Sequence, residues 1–382
     1  MIYFTEAQKK FRSIVRDFAL TELVPGANER AKMDYAPSEM IRKLAGAGLF
    51  KLTTPVKYGG KPTDFVSIGI ATEEISKVDF NSAPLIANQI LMPLLMAWGF
   101  EELREEWIPA FGNGEKLACF ANTEPDCGSD ASAIKTRAAR DGDSYIINGE
   151  KTAVSFGMQG DALLLTAKTD PEAGARGVTL FLVPLHLPGI NRSRFVDMGA
   201  IPAGRASITL SGVRIPIKYR IGEEGEGFSK VMSGFDFFRA IGGLGAIGVA
   251  EASLAEAAEY VKKRMVFGSP MSDFEGISFK LAEDATLIEA SRLLCYQALR
   301  LRDEGLQHTK ESAMAKWFAP FCAVRVIHDV LLIFGWRGYS EEKPIEQRLR
   351  DAFGLRIGDG TAEMMKLIIA RSILGRGFGP TM

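Results

Sequence analysis

The sequence predicts a mixed α+β fold in three parts: a helical domain over residues 1–118, a β domain over residues 119–225 and a helical bundle over residues 226–382. Apolar residues recur at helical spacing in the first part, short segments rich in β-branched residues follow, and helical spacing then returns in longer segments. With 382 residues, of which 47% are hydrophobic, the chain is long enough to bury a sizeable core.

Helical spacing in the first part is clearest near its start, where Phe11, Ile14 and Phe18 repeat every three or four residues. Pro25 and the pair Gly59-Gly60 interrupt this spacing. The pattern predicts a mostly helical domain with turns at these positions.

Strands are predicted where short branched segments are bounded by Gly, Asp, Asn and Pro, at residues 145–149, 162–166, 178–183 and 207–210. After residue 226 the helical period is clearest in residues 249–265, 277–303 and 309–334, with glycine pairs and prolines between segments. Four long antiparallel helices are the expected packing of this part.

Charge and cysteine content restrict the class of protein. Lys and Arg number 46 against 47 Asp and Glu, so no bulk charge favours nucleic acid or a membrane surface as a partner. The start, MIYFTEAQKKFR, carries charges where a signal peptide is apolar, and no run of about 18 uncharged apolar residues follows. The four cysteines lack a CxxC spacing, which favours free thiols. We therefore expect a cytoplasmic protein that neither leaves the cell nor spans a membrane.

The most informative segment is residues 120–130, which read FANTEPDCGSD. It is rich in turn-forming residues, and the backbone N–H groups of such a loop are suited to cradling a phosphate or a ring edge. The pattern T-E-P-x-x-G-S-D over residues 123–130 resembles the flavin-contacting signature of acyl-CoA dehydrogenases. Further matches follow in order along essentially the whole chain: Gly149-Glu150-Lys151, Arg264 with Phe267-Gly268, Phe334-Gly335, Arg350-Asp351, residues 358–363 and residues 368–371.

This resemblance implies an acyl-CoA dehydrogenase-like fold, FAD as cofactor and an acyl-CoA as substrate. It also implies electron-transfer flavoprotein as the electron acceptor and a homo-oligomer, expected to be a tetramer, because Arg264 would reach the FAD pyrophosphate across a subunit boundary. The Ser155 hydroxyl would donate a hydrogen bond to flavin N5. The implied FAD contacts are Phe120, Asn122, Thr123, Gly128, Ser129, Val154, Ser155, Arg264, Phe267, Glu275, Gly335, Thr361 and Glu363, and the implied CoA contacts are Ser129, Asp236, Arg239, Gly360 and Arg371.

The resemblance also identifies Asp359 as the base that removes the α proton of the thioester. The family usually has Tyr-Glu-Gly-Thr where this chain has Gly358-Asp359-Gly360-Thr361. Aspartate shortens the reach by about 1.5 Å, and the missing tyrosine ring leaves room for the substrate to approach. Together these changes favour a thioester whose α carbon is branched or in a ring, with cyclohexane-1-carboxyl-CoA as the leading candidate.

Other positions in the sequence restrict the choice of base. Some relatives place a glutamate directly before the arginine near the start of the bundle, but this chain has Phe238 there. In the helix expected to line the acyl chamber, Asn88 and Gln89 are the only strongly polar residues, so the chamber offers no second carboxylate. The three histidines make a histidine-based catalyst unlikely on composition. A turn aspartate without catalytic role is the alternative reading of Asp359.

Three positions depart from the family pattern. Ala153 stands where a tryptophan usually flanks the flavin, and Glu275 and Leu332 stand where glutamines are expected to help hold FAD. Two rival functions follow: a nitroalkane oxidase, a branch that also uses aspartate and needs no CoA, and a flavin-binding interaction subunit that has lost turnover. Peroxide formation with nitroalkanes would identify the oxidase. Unchanged flavin reduction in Asp359→Asn would deny Asp359 a catalytic role and favour the interaction subunit.

Overall fold

Helices, then strands, then helices follow one another along residues 4–375, which the computed structural model describes. This order confirms the predicted α+β fold class. The first part contains α1 Glu6–Phe18, α2 Ala27–Arg30, α3 Ser38–Gly46, α4 Phe65–Ser76, α5 Ser82–Met96 and α6 Glu101–Gly112.

The start of α1 shows why the sequence begins a helix there. The Thr5 side chain accepts a hydrogen bond from the Gln8 backbone N–H at 3.2 Å, and the Gln8 side chain accepts one from the Thr5 N–H at 3.0 Å. This reciprocal capping satisfies two N–H groups that the first turn leaves unpaired. The predicted apolar spacing also included Val15, Ala19 and Leu23, and these three are buried. Only Ile14 departs from the prediction, because it is exposed.

The β domain is one eight-stranded sheet whose strands run in the order β6-β7-β3-β2-β4-β5-β8, with β1 parallel to β4. All four predicted strands are present, and the other four strands of the sheet were not predicted. The strands are β1 Ala118–Ala121, β2 Arg137–Asp141, β3 Ser144–Val154, β4 Ala162–Lys168, β5 Val178–Pro184, β6 Ile190–Arg194, β7 Ala206–Pro216 and β8 Arg220–Ile221.

The long strands β3 and β7 pair antiparallel, and their register shifts twice. One shift lies between Ile147 and Gly149, where a Cβ on Gly149 would come within 2.4 Å of Thr136 Oγ1. The other lies between Lys151 and Val154. Bulges of this kind bend a strand and redirect its side chains, so the end of β3 turns away from a regular ladder.

The last part contains α7 Gly227–Lys263, a hairpin of β9 Met265–Val266 and β10 Ser269–Pro270, then α8 Glu275–Asp303, α9 Thr309–Phe334, α10 Trp336–Tyr339, α11 Ile345–Gly354 and α12 Ala362–Leu374. The predicted glycine break in the first of these helices is wrong, because α7 continues through Gly242 and Gly243 for 37 residues. Three helices are long, and α12, which packs on α9, has only 13 residues. The bundle therefore has three long helices and one short helix, where we expected four long ones.

Two helices, α7 and α9, are long and apolar enough to cross a membrane by length and composition alone. Most of the apolar stretch in each, 72% and 61%, is buried inside the protein. Because α7 packs against α4, α8 and α9, its apolar surface is used by the core.

Candidate active site

The loop after β1 is fixed to both the sheet and the bundle. The Thr152 backbone N–H donates to the Thr123 carbonyl at 2.9 Å, which ties the loop to the end of β3. The Phe120 ring meets the Phe235 ring of α7 edge to face, with centroids 5.5 Å apart. The structure therefore brings the predicted flavin loop, the end of β3 and the start of α7 together.

A buried ion pair supports this loop. Lys151 Nζ donates to Glu124 Oε1 at 2.8 Å and to the Asn122 carbonyl at 3.0 Å, and the Lys151 side chain is fully buried. Burial lowers the pKa of Lys151 to about 8, although Glu124 acts in the opposite direction. Sequence reasoning missed this pair, although both residues lie in the motifs that it singled out.

The backbone around Ser155 is strained. Ala153 and Phe156 have φ values of 54° and 60°, which side-chain-bearing residues adopt rarely. Such strain is common where a site needs a fixed geometry. Between them, Val154 is buried and Ser155 is half-buried, and the Ser155 hydroxyl has no hydrogen-bond partner within residues 4–375. The strained turn thus presents an unused hydroxyl beside the loop.

The predicted base lies in the turn between α11 and α12. Asp359 is half-buried and has a φ of 58°, and its carboxylate accepts no hydrogen bond from the described part of the chain. Thr361 ends the turn by capping α12, since its side chain accepts from the Met364 N–H at 3.4 Å. Aspartate tolerates the left-handed backbone better than most residues, so the turn itself also favours aspartate here.

Two predicted CoA contacts lie together on α7. Arg239 Nη1 donates to Asp236 Oδ1 at 2.5 Å, and Asp236 also accepts from the Thr309 hydroxyl at 2.6 Å. Burial lowers the pKa of Arg239, while Asp236 and Asp359 act to raise it. Arg239 is 6% exposed, and its buried Nε has no partner in residues 4–375. A guanidinium N–H close to the base is therefore left unpaired.

Lys316 of α9 is a charged neighbour of the base that sequence reasoning missed. Its Nζ donates to the Leu355 carbonyl, in the turn that carries Asp359, and its side chain is buried. Burial lowers the pKa of Lys316 to about 8, Asp359 raises it and Arg239 lowers it further. A signal existed, since Lys316 falls between Ser312 and Ala319 on the apolar face of α9.

A second group of predicted residues lies elsewhere. Arg264 follows the last residue of α7, Phe267 is 99% exposed in the hairpin, and Glu275 and Gly335 are exposed. Arg264 follows Arg239 by 25 positions, and at about 1.5 Å per residue the two are roughly 37 Å apart along the helix axis. Arg264 and the residues near it therefore lie far along α7 from Arg239 within one chain.

The remaining predicted residues are more accessible. Gly128, Ser129 and Glu363 are exposed, and Gly360 and Arg371 are half-buried. The flavin-flanking position Ala153 and the bundle position Leu332 are also exposed. The four cysteines are free and buried.

Three family models match the chain in the same order as these parts. They are the acyl-CoA dehydrogenase N-terminal domain over residues 5–115, the middle domain over residues 119–213 and the C-terminal domain over residues 225–374. The chain belongs to the acyl-CoA dehydrogenase family. Its reaction class is therefore the FAD-dependent dehydrogenation of acyl-CoA.

Relatives match over nearly their full length. An acyl-CoA dehydrogenase of Bacillus subtilis is 35% identical, with 98% of this chain and 100% of the relative covered. The CarC subunit of the caffeyl-CoA reductase–Etf complex of Acetobacterium woodii is 34% identical over 98% of this chain and 100% of its own. The structure of butyryl-CoA dehydrogenase from Megasphaera elsdenii superposes with a TM-score of 0.93 at 33% identity, covering 97% of this chain and 99% of that one.

The residues of this chain fit FAD, which members of the family bind. The strained turn at Ala153 and Phe156 leaves the Ser155 hydroxyl without a partner in the described chain, next to a loop held by a buried ion pair. Open space also surrounds Gly128, where an added Cβ would meet only Thr123 Cγ2, at 3.9 Å. An unused donor beside an open loop suits a flavin ring, whose nitrogens take hydrogen bonds from protein groups.

Proposed function

We propose that this enzyme dehydrogenates a CoA thioester whose α carbon is branched or part of a ring, with cyclohexane-1-carboxyl-CoA converted to cyclohex-1-ene-1-carboxyl-CoA. The observation that carries this proposal is the Gly358-Asp359 turn. An added Cβ on Gly358 would meet only the Gly354 carbonyl, at an ordinary 3.6 Å. The short base therefore has free space beside it, which a second α substituent can occupy.

Asp359 removes the α proton in this proposal. Its carboxylate accepts no hydrogen bond within residues 4–375, so both oxygens are available to a substrate. Asp359 is close enough to Arg239 and Lys316 for its charge to act on both cations, raising the pKa of each against the effect of burial. FAD would supply the acceptor for the hydride that leaves the β carbon. Loss of the α proton to Asp359 and of the β hydride to that acceptor leaves an α,β double bond in the product.

The other residues bind and orient the cofactor and the substrate. The Ser155 hydroxyl donates a hydrogen bond to the flavin. The ring rests on a surface formed by Phe120, Asn122, Thr123, Gly128, Ser129 and Val154. Arg239 uses its unpaired Nε–H toward the CoA thioester, with Asp236 holding the guanidinium at 2.5 Å. Ser129, Gly360 and Arg371 complete the CoA contacts in this proposal.

We propose that the chain works as a homo-oligomer, most simply a tetramer. The support is the separation of roughly 37 Å between Arg239 and Arg264 along α7, from which we infer that Arg264, Phe267, Glu275 and Gly335 contact the FAD of another subunit. Several large apolar side chains of this part are exposed in the single chain: Phe267, Phe279, Leu332, Trp336 and Tyr339. Exposed apolar groups in such number are typical of an interface between chains.

We also propose that reduced enzyme passes its electrons to electron-transfer flavoprotein. The support is the relative of Acetobacterium woodii, which is named as a subunit of a complex with such a protein. Reoxidation by purified electron-transfer flavoprotein, measured as return of the flavin absorbance, tests this partner; reoxidation by oxygen alone at the same rate would contradict it.

The substrate is tested by anaerobic titration of the purified holoenzyme with linear, α-branched and cyclic acyl-CoA thioesters while flavin bleaching is followed. We expect the cyclic thioester to bleach the flavin at the lowest concentration. A preference for a linear thioester would contradict the argument from Gly358. Bleaching by nitroalkanes with peroxide release in air, and none by any acyl-CoA, would instead establish the oxidase alternative.

A further inference from the structure

Helix α7 contains glycines that need an explanation, because each glycine inside a helix costs about 1 kcal/mol relative to alanine. Close packing explains some of them. A Cβ on Gly243 would lie 2.7 Å from Cys295 Sγ, and one on Gly248 would lie 2.5 Å from the Glu73 carbonyl oxygen. Gly242 differs, since an added Cβ there would meet no atom within 4 Å although the residue is half-buried. Helix packing therefore does not account for Gly242.

Gly242 lies on the face of α7 that carries the candidate site. It follows Arg239 by three positions, and residues three apart occupy the same face of a helix. Arg239 is close enough to Asp359 for their charges to interact. The free space at Gly242 is therefore one helical turn along from the arginine beside the base.

Two glycines with free space thus flank the pair of Arg239 and Asp359. Gly358 precedes the base in its turn, and its added Cβ would meet one atom only, at 3.6 Å. Gly242 belongs to a different element, α7, one helical turn from Arg239. Neither glycine fills the space next to its own member of this pair with a side chain.

We propose that Gly242 is a specificity-determining residue whose missing side chain makes room for the second carbon substituent on the α carbon of the thioester. The inference rests on the proposed function, and it names the element opposite the base that admits a ring. A side chain at this position narrows the acyl space without touching Asp359. Discrimination by one or a few carbon atoms in an apolar pocket amounts to about 10- to 200-fold.

The test compares wild type with Gly242→Ala and Gly242→Val, using kcat/KM for cyclohexane-1-carboxyl-CoA and for butyryl-CoA with an artificial electron acceptor. We expect Gly242→Val to lower the value for the cyclic thioester about tenfold or more, and the value for the linear thioester by no more than about threefold. Gly242→Ala should give an intermediate preference. Since alanine favours the helix, its Tm should equal or exceed that of wild type, so a folding defect is separated from a change in specificity.

Gly46→Ala is the matched control, because Gly46 is an exposed helical glycine of α3 whose added Cβ also meets nothing within 4 Å. It should leave the ratio of the two kcat/KM values unchanged. If wild type prefers the ring and both Gly242 variants keep that preference, the role of Gly242 is refuted while the proposed function stands. If wild type prefers the linear thioester, the proposed substrate fails and the inference fails with it.

Discussion

The stability of the helical bundle should depend on the protonation of Asp284 in α8. Its side chain is fully buried, and neither carboxylate oxygen has a hydrogen-bond partner in residues 4–375. Asp329 of α9, which is paired with Lys280 at 2.8 Å, adds a negative charge nearby. Burial first, and the charge of Asp329 second, raise the pKa of Asp284 from 3.8 to about 7.

The sign of the effect follows from proton binding. Between about pH 4 and pH 7 the folded chain keeps a proton on Asp284 that the unfolded chain has lost, so the free energy of unfolding falls as the pH rises. The stabilising contribution is fully present below pH 3.8 and is lost as the pH rises through about 7. At about 1.4 kcal/mol per pKa unit, the total is on the order of 4 kcal/mol.

The substitution Asp284→Asn removes this titration. Its buried amide needs partners of its own, at a cost of about 1 to 3 kcal/mol, so the difference from wild type at a single pH is less informative than the pH dependence. We expect the free energy of unfolding of the variant, relative to wild type, to rise from pH 5 to about pH 7 and then to level off towards pH 8.

Urea unfolding followed by circular dichroism, at one protein concentration and with excess FAD, measures this difference. Asp273→Asn serves as the control, because Asp273 is exposed just before α8 and should leave the pH dependence as in wild type. A constant difference between Asp284→Asn and wild type across this range would refute the reasoning from burial.

Three further substitutions test the candidate site. Asp359→Asn should slow flavin reduction by acyl-CoA about 10²- to 10⁴-fold in anaerobic stopped-flow while the protein stays yellow, and an unchanged rate would remove Asp359 from the mechanism. Lys316→Met should slow the same reaction about tenfold, because the Leu355 carbonyl loses its donor. Recovery of the rate by Lys316→Arg would indicate that the positive charge matters, and an unchanged rate in Lys316→Met would show that Lys316 has no role. Lys151→Met should lower the free energy of unfolding by about 3 to 5 kcal/mol in urea, because Glu124 is left buried and unpaired, and the double variant with Glu124→Gln should recover part of it.

The order of helices and strands could be predicted because burial periodicity changes from about four residues to two and back along the chain. Strand β5 could be predicted for a different reason, since it is buried throughout and its sequence is apolar apart from Thr179. Strand β2 was missed because its sequence, RAARD, is mostly exposed and charged. It is a strand because β3 and β4 pair with it on either side.

The continuity of α7 could not be predicted from local sequence. Gly242 and Gly243 weaken a helix on their own, yet contacts with α4, α8 and α9 hold it together. Likewise, motif matching singled out Asp359 but not Lys316, because the lysine reaches the turn that carries Asp359 only when α9 packs against the segment after α11. Tertiary contacts decide both cases.

The left-handed backbone at Asp359 affects how the base can be exchanged. Asparagine shares the tolerance of aspartate for this conformation, whereas glutamate does so less readily. Asp359→Asn therefore alters proton acceptance and leaves the shape of the turn intact. Asp359→Glu changes reach and backbone preference together, and a Tyr-Glu pair grafted at positions 358 and 359 would have to reshape the turn before it could serve a linear acyl chain.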